Sequence, residues 1–223
     1  SSTLVLLGLM NACGFTLQFV GQVYTSAANT ALLVNLSALI VPVISWRFLN
    51  ERFPPSKVVA IMVGMFGVVL LVTRGDFLTV EPHYLGDGLN GLSAVVWSSF
   101  AVLNKKTIAR YSSYVISVTA ATLVFTLVAL IPLGLFFVGI LGLSLGWEAW
   151  AAILYTAVVC TVAPYILWNF GLKILSPTVS TLTLLIEVIT ASALSSMIIG
   201  ETFDLLSGIG ASIVMLAIVL ASR

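Results

Sequence analysis

Glu187 stands near the middle of an apolar run, residues 176–199, long enough to cross a bilayer. A carboxylate at that depth costs roughly 2.5–3.5 kcal/mol on insertion scales. Such groups usually face a bundle interior or a watery cavity, and they mark substrate or proton paths. Glu187 is therefore the first candidate for chemistry, as a site for a proton or a cationic group. The plainer alternative is a protonated side chain bonded to Thr183 or Thr190. A second group lies in the first apolar run, where Asn11, Gln18 and Gln22 recur at spacings of seven and four. That spacing puts them on one helical face. Amides facing lipid would be costly, so this face is expected to point inward. It lines a cavity or makes interhelical hydrogen bonds, each typically ~0.6 kcal/mol in membrane bundles. Asn35, Ser37 and Trp97 lie within later runs, as do Tyr165, Trp168 and Asn169. Trp and Tyr offer flat apolar walls with one polar handle. For Trp168, near an interface, simple packing is the plainer alternative. These residues are the candidates for binding a small molecule or coupling its movement.

The elements that must hold them are membrane helices. Hydrophobic residues make up 60% of the chain and charged residues 8%, against about 25% charged in a soluble domain. Mean hydropathy is +1.18. Spans of about 20 apolar residues are read at 3–25, 27–49, 56–74, 86–108, 112–137, 147–170, 176–199 and 203–222. The runs are long and do not alternate, which excludes strands. The longest connections, 75–85 and 138–146, have no room for a further domain. The fold class expected is all-α integral membrane. Cys13 and Cys160 fall inside apolar runs and are expected to be packing residues. His83 is the lone histidine and lies in a loop, so no metal site or cofactor is expected. The net charge of +1 says nothing about nucleic acid, but no basic patch with interleaved aromatics is present, so no nucleic-acid partner is expected. No nucleophile–base set is present in the spans, which argues against an enzyme. There is no ATP-binding loop.

Placing the start of the first span in the cytoplasm puts Arg47, Arg52, Lys57, Lys105, Lys106, Arg110, Lys173 and Arg223 at cytoplasmic ends. Only Arg74 falls on the other side, a strong positive-inside bias. Asp76, Glu81, Asp87, Glu148, Glu201 and Asp204 then lie outside. The C-terminus is cytoplasmic in this reading, and the membrane is expected to be the plasma membrane. Trp147 and Trp150 begin a span and Trp46 ends one, ordinary interfacial positions. Pro42, Pro132 and Pro164 lie inside spans and should kink helices or free carbonyls. Ala60, Gly64 and Gly67 form one small face, and Ser207, Gly208, Ala211 and Ser212 another. Small faces let helices approach, within one chain or in a homodimer.

Shifting the chain by 150 residues overlays two stretches. Leu17, Gly21, Ser26, Leu32 and Ser45 meet Leu167, Gly171, Ser176, Leu182 and Ser195. Glu51 and Phe53 meet Glu201 and Phe203; Met65, Val69 and Leu70 meet Met215, Val219 and Leu220. Span boundaries coincide as well. Glu51 falls inside the cell and Glu201 outside, so the two copies have opposite topology. Inversion needs an odd number of spans per copy. The second copy shows five and the first three, so two spans are expected before Ser1. Many secondary transporters build alternating gates from such repeats.

The chain resembles the EamA-type branch of the drug/metabolite transporter superfamily. The resemblance rests on Gly21-x-x-Tyr24-Thr25-Ser26-Ala27, Leu36-Ser37-Ala38-Leu39-Ile40-Val41-Pro42 and Glu51-Arg52 in the first half. In the second half it rests on Gly86-Asp87, Trp97, Thr161-x-x-Pro164-Tyr165-x-x-Trp168-Asn169, Leu185-Ile186-Glu187 and Gly200-Glu201. It covers essentially the whole chain. It implies eight visible transmembrane helices of a ten-helix inverted-repeat transporter fold. Residues 1–74 would be the last three helices of the first repeat, 75–85 an external loop and 86–223 the second repeat. It also implies export or exchange of small metabolites such as amino acids or drugs. Val188 follows Glu187 where the family often has proline, which removes the usual local cause of a backbone break there.

The expectation is a secondary carrier with a midplane cavity lined by the first, second, fourth, sixth and seventh visible spans. Its partners would be a small-molecule substrate and membrane lipid. The reading allows proton coupling through Glu187 and a homodimer. A flippase for lipid-linked substrates on the same scaffold, or a non-transporting membrane subunit, are the alternatives.

Overall fold

The computed structural model describes residues 2–52, 54–76, 83–141, 146–199 and 204–221. Phe53, Glu81, Gly200, Glu201, Phe203 and Arg223, named above, lie outside the described residues. Every regular element among the described residues is helical: α1 (Ser2–Val23), α2 (Ala27–Asn35), α3 (Ser37–Leu49), α4 (Pro55–Thr73), α5 (Tyr84–Arg110), α6 (Val115–Leu141), α7 (Trp147–Ala157), α8 (Ala163–Ile174), α9 (Pro177–Leu184), α10 (Ile186–Ile199) and α11 (Leu205–Ala221). A short 3₁₀ turn, Ser112–Tyr114, precedes α6. Each of the eight expected spans coincides with one helical stretch. Six stretches are long and apolar enough to cross a membrane: Ser2–Val23, Ala27–Leu49, Pro55–Thr73, Ser112–Phe136, Trp147–Ile174 and Pro177–Ile198. Helix α11 is apolar but shorter. Helix α5 is long but more polar, carrying Asp87, Lys105, Lys106 and Arg110. Large apolar side chains such as Phe19, Phe48, Phe66, Leu135 and Leu167 are exposed on many helices. Water would not tolerate so extensive an apolar surface, whereas a bilayer requires it. The chain is a multi-pass membrane protein.

The chain forms two compact units. One contains Ser1–Cys13 and Leu103–Leu175; the other contains Gly14–Val102 and Ser176–Arg223. Helices α1 and α5 each contribute to both units.

In the second unit, α4 and α11 pack tightly against each other. A Cβ on Gly67 would lie 2.9 Å from the Gly210 carbonyl oxygen, and one on Gly210 would lie 2.8 Å from the Leu71 nitrogen. Backbone contact this close is what small residues permit. The face of Ala60, Gly64 and Gly67 is thus buried within the chain. Of the other small face, Ser207 is buried, while Ser212 is exposed. Ala38, Leu182 and Leu185 pack with Ala60, Ile61, Met65, Val68 and Val214 into one core.

Two of the apolar runs are each broken into two helices. Leu36 (φ −57°, ψ −19°) separates α2 from α3, and Leu185 (φ −60°, ψ −17°) separates α9 from α10. At each break the amide reaches only three residues back, Leu36 to Leu33 and Leu185 to Leu182, both at 3.1 Å. The first helix of each pair starts with a serine cap. Asn29 N–H donates to Ser26 Oγ at 3.0 Å, and Val179 N–H to Ser176 Oγ at 3.4 Å. The paired serines Ser26 and Ser176 therefore carry the same cap, and the two breaks fall within one residue of each other in the overlay. The break beside Glu187 forms without a proline, because Leu185 is anchored in the core and the turn keeps its hydrogen bond. Val188 itself packs against that core.

In the first unit, Ile108, Val115 and Val118 form a small core with Leu4 and Tyr111 against it. Ahead of Pro164 the helix widens into a π turn over Val158–Val162, and Ala163 N–H reaches back five residues to the Val158 carbonyl. The wider turn relieves the clash a proline ring makes with the carbonyl four residues earlier. Cys13 and Cys160 are exposed, not packed. Cys13 continues the outward stripe of Leu6 and Leu9, and Cys160 sits among exposed Val158, Val159 and Val162. A thiol is a small hydrophobe, which lipid accepts as readily as a core does.

Replacing Gly67 by valine should lower the unfolding midpoint in detergent by the equivalent of about 1–3 kcal/mol, since the helix pair must part. Gly171→Ala, with open space at its Cβ position, should leave the midpoint unchanged. Equal effects from the two changes would show that the α4–α11 contact is not limiting.

Candidate functional site

Polar side chains on α1 and α5 find partners in both units. In the second unit, Trp97 Nε1 donates to Gln18 Oε1 at 3.0 Å. The Trp97 ring meets Phe15 edge-on at 5.0 Å and Phe100 edge-on at 5.9 Å. Phe15 in turn stacks on Phe19 at 5.8 Å. Glycine at position 14 makes room for this, as a Cβ there would lie 3.0 Å from the Trp97 ring. Gln18 and Trp97 are both half-buried. Together they form a rigid aromatic wall whose one polar handle is oriented by an amide, a design suited to gripping a small amphipathic molecule.

One turn further along α1, Gly21 lies against Asn90, and Gly86 lies against Tyr24 and Thr25. Asn90 Nδ2 donates to Thr30 Oγ1 at 3.3 Å and to the Gly86 carbonyl at 3.0 Å. The Asp87 carboxylate accepts from Thr25 Oγ1 at 2.6 Å, Asn29 Nδ2 at 3.1 Å and the His83 amide at 2.8 Å.

The breaks hold three of the expected residues. Asn35 Nδ2 donates to the Ala31 carbonyl at 2.7 Å, one turn back along α2. Ser37 begins α3 and is half-buried; its carbonyl accepts a long contact from Ser98 Oγ at 3.5 Å. Glu187 lies in the first turn of α10 and is exposed. It makes no hydrogen bond or ion pair among the described residues, so neither Thr183 nor Thr190 neutralises it. Those threonines instead donate to carbonyls of their own helices, Val179 and Ile186, both at 2.9 Å. The positive end of α10 favours a negative charge at this position. Gln22 is exposed as well, so the amide face of α1 runs from buried Asn11 through half-buried Gln18 to the surface.

In the first unit, Tyr165, Trp168 and Asn169 share α8, with the Tyr165 and Trp168 rings edge-on at 6.3 Å. Tyr165 donates its hydroxyl to Asn11 Oδ1 at 2.5 Å, and Asn11 Nδ2 donates to Thr126 Oγ1 at 3.0 Å. Asn169 Oδ1 accepts from Asn104 Nδ2 at 2.6 Å, and Asn169 Nδ2 donates to Thr119 Oγ1 at 2.7 Å. Asn11, Asn104, Asn169, Thr119 and Thr126 are all buried. Asn169 thus spends both ends of its amide on neighbouring helices, the arrangement of interhelical glue. Lys105 Nζ caps the end of α8 by donating to the Leu172 and Leu175 carbonyls at 2.5 and 2.8 Å.

Asn104, Thr119, Thr126, Asn29 and Asn90 were not among the residues singled out from the sequence. One signal was available: Asn90, Trp97 and Asn104 recur every seven residues along the fourth span, a polar face that answers the one on α1. The threonines carried no signal, because a threonine can satisfy itself on its own helix. Among the described residues, no group of three His, Cys, Asp or Glu side chains could hold a metal ion.

The sequence pattern of the EamA-like transporter family matches residues 2–73 and 85–223. The chain is similar to the uncharacterized transporter YyaM of Bacillus subtilis, 29% identical over 98% of this chain and 72% of that protein. An uncharacterized transporter of Archaeoglobus fulgidus is 28% identical over 71% of this chain and 54% of that protein. The uncharacterized transporter YetK of Bacillus subtilis is 22% identical, over 87% of this chain and 59% of that protein. The chain therefore spans about half to three quarters of these relatives' lengths. A solved crystal structure aligns over 100% of this chain and 78% of its own, with a TM-score of 0.78 and 18% identity. At that identity the likeness is one of fold.

Asn169→Leu strands the Asn104 amide and the Thr119 hydroxyl and should cost about 1–2 kcal/mol in a detergent unfolding assay. Gln18→Leu leaves only a half-exposed indole N–H and should cost markedly less. The reverse order would show that the α8 network is not the structural one.

Proposed function

The chain belongs to the EamA-like transporter family, and on that premise we propose that it is a secondary carrier of small metabolites working by alternating access. The observation that carries this reading is the pair of broken helices, with breaks at Leu36 and Leu185 anchored in a common core. Secondary carriers use discontinuous helices in this way, rocking half-helices about a fixed midplane site. Two copies of one hinge give a carrier a way to open at either membrane face. The charge pattern supports a cytoplasmic position for the basic ends and an external one for residues 75–85, with the plasma membrane as the site of action. Residues 1–74 and 86–223 would then carry the two inverted copies.

In this reading Glu187 binds a proton or the cationic group of the substrate. Its position supports that role, since it is without a partner among the described residues, beside a break and at the positive end of α10. Trp97, oriented by Gln18, provides the wall for the apolar part of the substrate. Asn35 and Ser37 flank the other hinge, and Gln22 continues the polar face of α1 toward solvent. Tyr165, Trp168 and Asn169 act by holding α8 within the first unit. Transport needs no bound cofactor in this scheme. The substrate class is amino acids, drugs or similarly small amphipathic metabolites, moved outward or exchanged.

The test is to express the full-length protein and compare metabolites in the medium between wild type and Glu187→Gln. A small set of compounds should rise outside with wild type and fall by about tenfold with the variant, the loss expected when a single charged contact is removed. No rise with folded wild-type protein would overturn metabolite export and favour the lipid-flippase reading.

A further inference from the structure

We propose that Asp87 and Glu51 are a pair of latches, each clamping the outer end of one half-helix and so holding one face of the carrier shut. Helices α2 and α9 occupy matching places in the sequence overlay, and each ends at a leucine break in the core. Each also starts with a carboxylate from another element fastened to its first turn. On α2 the carboxylate is Asp87 of α5, which accepts from Thr25 Oγ1 at 2.6 Å and Asn29 Nδ2 at 3.1 Å. On α9 it is Glu51, from the connection after α3, which accepts from Thr178 Oγ1 at 2.9 Å. Lys57 holds the same glutamate from its other oxygen at 3.4 Å.

A half-helix fixed at both ends cannot swing. The leucine break is the flexible end, because it loses part of the helical ladder yet stays seated in apolar contacts. The other end is held by hydrogen bonds to an ionised acceptor, among the stronger single contacts available to a helix end. The positive pole of each helix adds to the attraction. The two latches differ in place: the split of basic residues puts Glu51 on the cytoplasmic side and Asp87 on the outside. Releasing one should therefore open one face and leave the other closed. Asp87 and Glu51 act through the half-helices and touch no substrate, so they are positioning residues.

The consequence for transport rests on the carrier reading, but the test does not need transport. In a background with Cys13→Ser and Cys160→Ser, single cysteines replace half-buried Ala28 of α2 or Val179 of α9. A membrane-impermeant maleimide is then applied to right-side-out and inside-out vesicles. Asp87→Asn, or Thr25→Val, should raise labelling at position 28 from outside by about tenfold, the factor that one lost charge-assisted hydrogen bond allows. Labelling at 179 should not move. Glu51→Gln, or Thr178→Val, should do the reverse from the cytoplasmic side. Thr25→Ser and Thr178→Ser keep the hydroxyl and should label like the parent. A rise at both positions with any one variant would overturn the latch and indicate general loosening. No rise in protein that elutes as a monodisperse peak would overturn it as well. If the acidic variants do not fold, the threonine variants decide the matter alone. Sided labelling without transport would leave the latch standing and the carrier reading refuted.

Discussion

Lipid offers no hydrogen bonds, so each backbone amide and carbonyl that leaves the helical ladder must find a partner within the protein. The interruptions in this chain follow from that constraint. The breaks at Leu36 and Leu185 keep a three-residue bond through the turn. Asn35 occupies the Ala31 carbonyl beside the first break. The π turn before Pro164 moves the Ala163 donor to the Val158 carbonyl. Lys105 reaches the open end of α8. A chain that interrupts its helices under these terms has a use for irregularity at that depth.

The same constraint sorts the polar side chains. Asn11, Asn104, Asn169 and Tyr165 are buried or half-buried and bonded to one another's neighbours, and their role is to join helices. Trp97 and Gln18 are half-buried and bonded as a pair, which holds an aromatic face in one orientation while leaving part of it accessible. Glu187 stands apart from both groups, exposed and without a partner among the described residues. A bilayer does not leave such a charge unused cheaply. Polarity alone therefore does not identify a transport residue. What separates the groups is whether the hydrogen-bonding capacity has already been spent.

Small residues do a complementary task. Gly67 and Gly210 bring α4 and α11 to backbone contact, and Gly14, Gly21 and Gly86 bring parts of α1 and α5 close enough for their polar faces to meet. The tight α4–α11 pair supplies the apolar bed on which both breaks rest. Both breaks are thus seated on one tightly packed helix pair.

The sequence by itself determined the class and the approximate extents of the helical stretches. Those properties follow from local sums: about 20 apolar residues suffice to span a bilayer, and serine or proline marks where a helix starts. Ser26 and Ser176, which meet in the sequence overlay, cap the same kind of half-helix. The tertiary structure decided the rest. A bilayer accepts a thiol outward or inward, so nothing local placed Cys13 and Cys160 on the surface. The break beside Glu187 depends on how Leu185 seats against α4 and α11 and not on a proline next to it. Whether an asparagine is glue or site depends on partners distant in the chain, as when Tyr165 meets Asn11 or Asn169 meets Asn104. Hydrogen bonds of that kind are satisfied in space, and only the folded chain shows which donors and acceptors are left over.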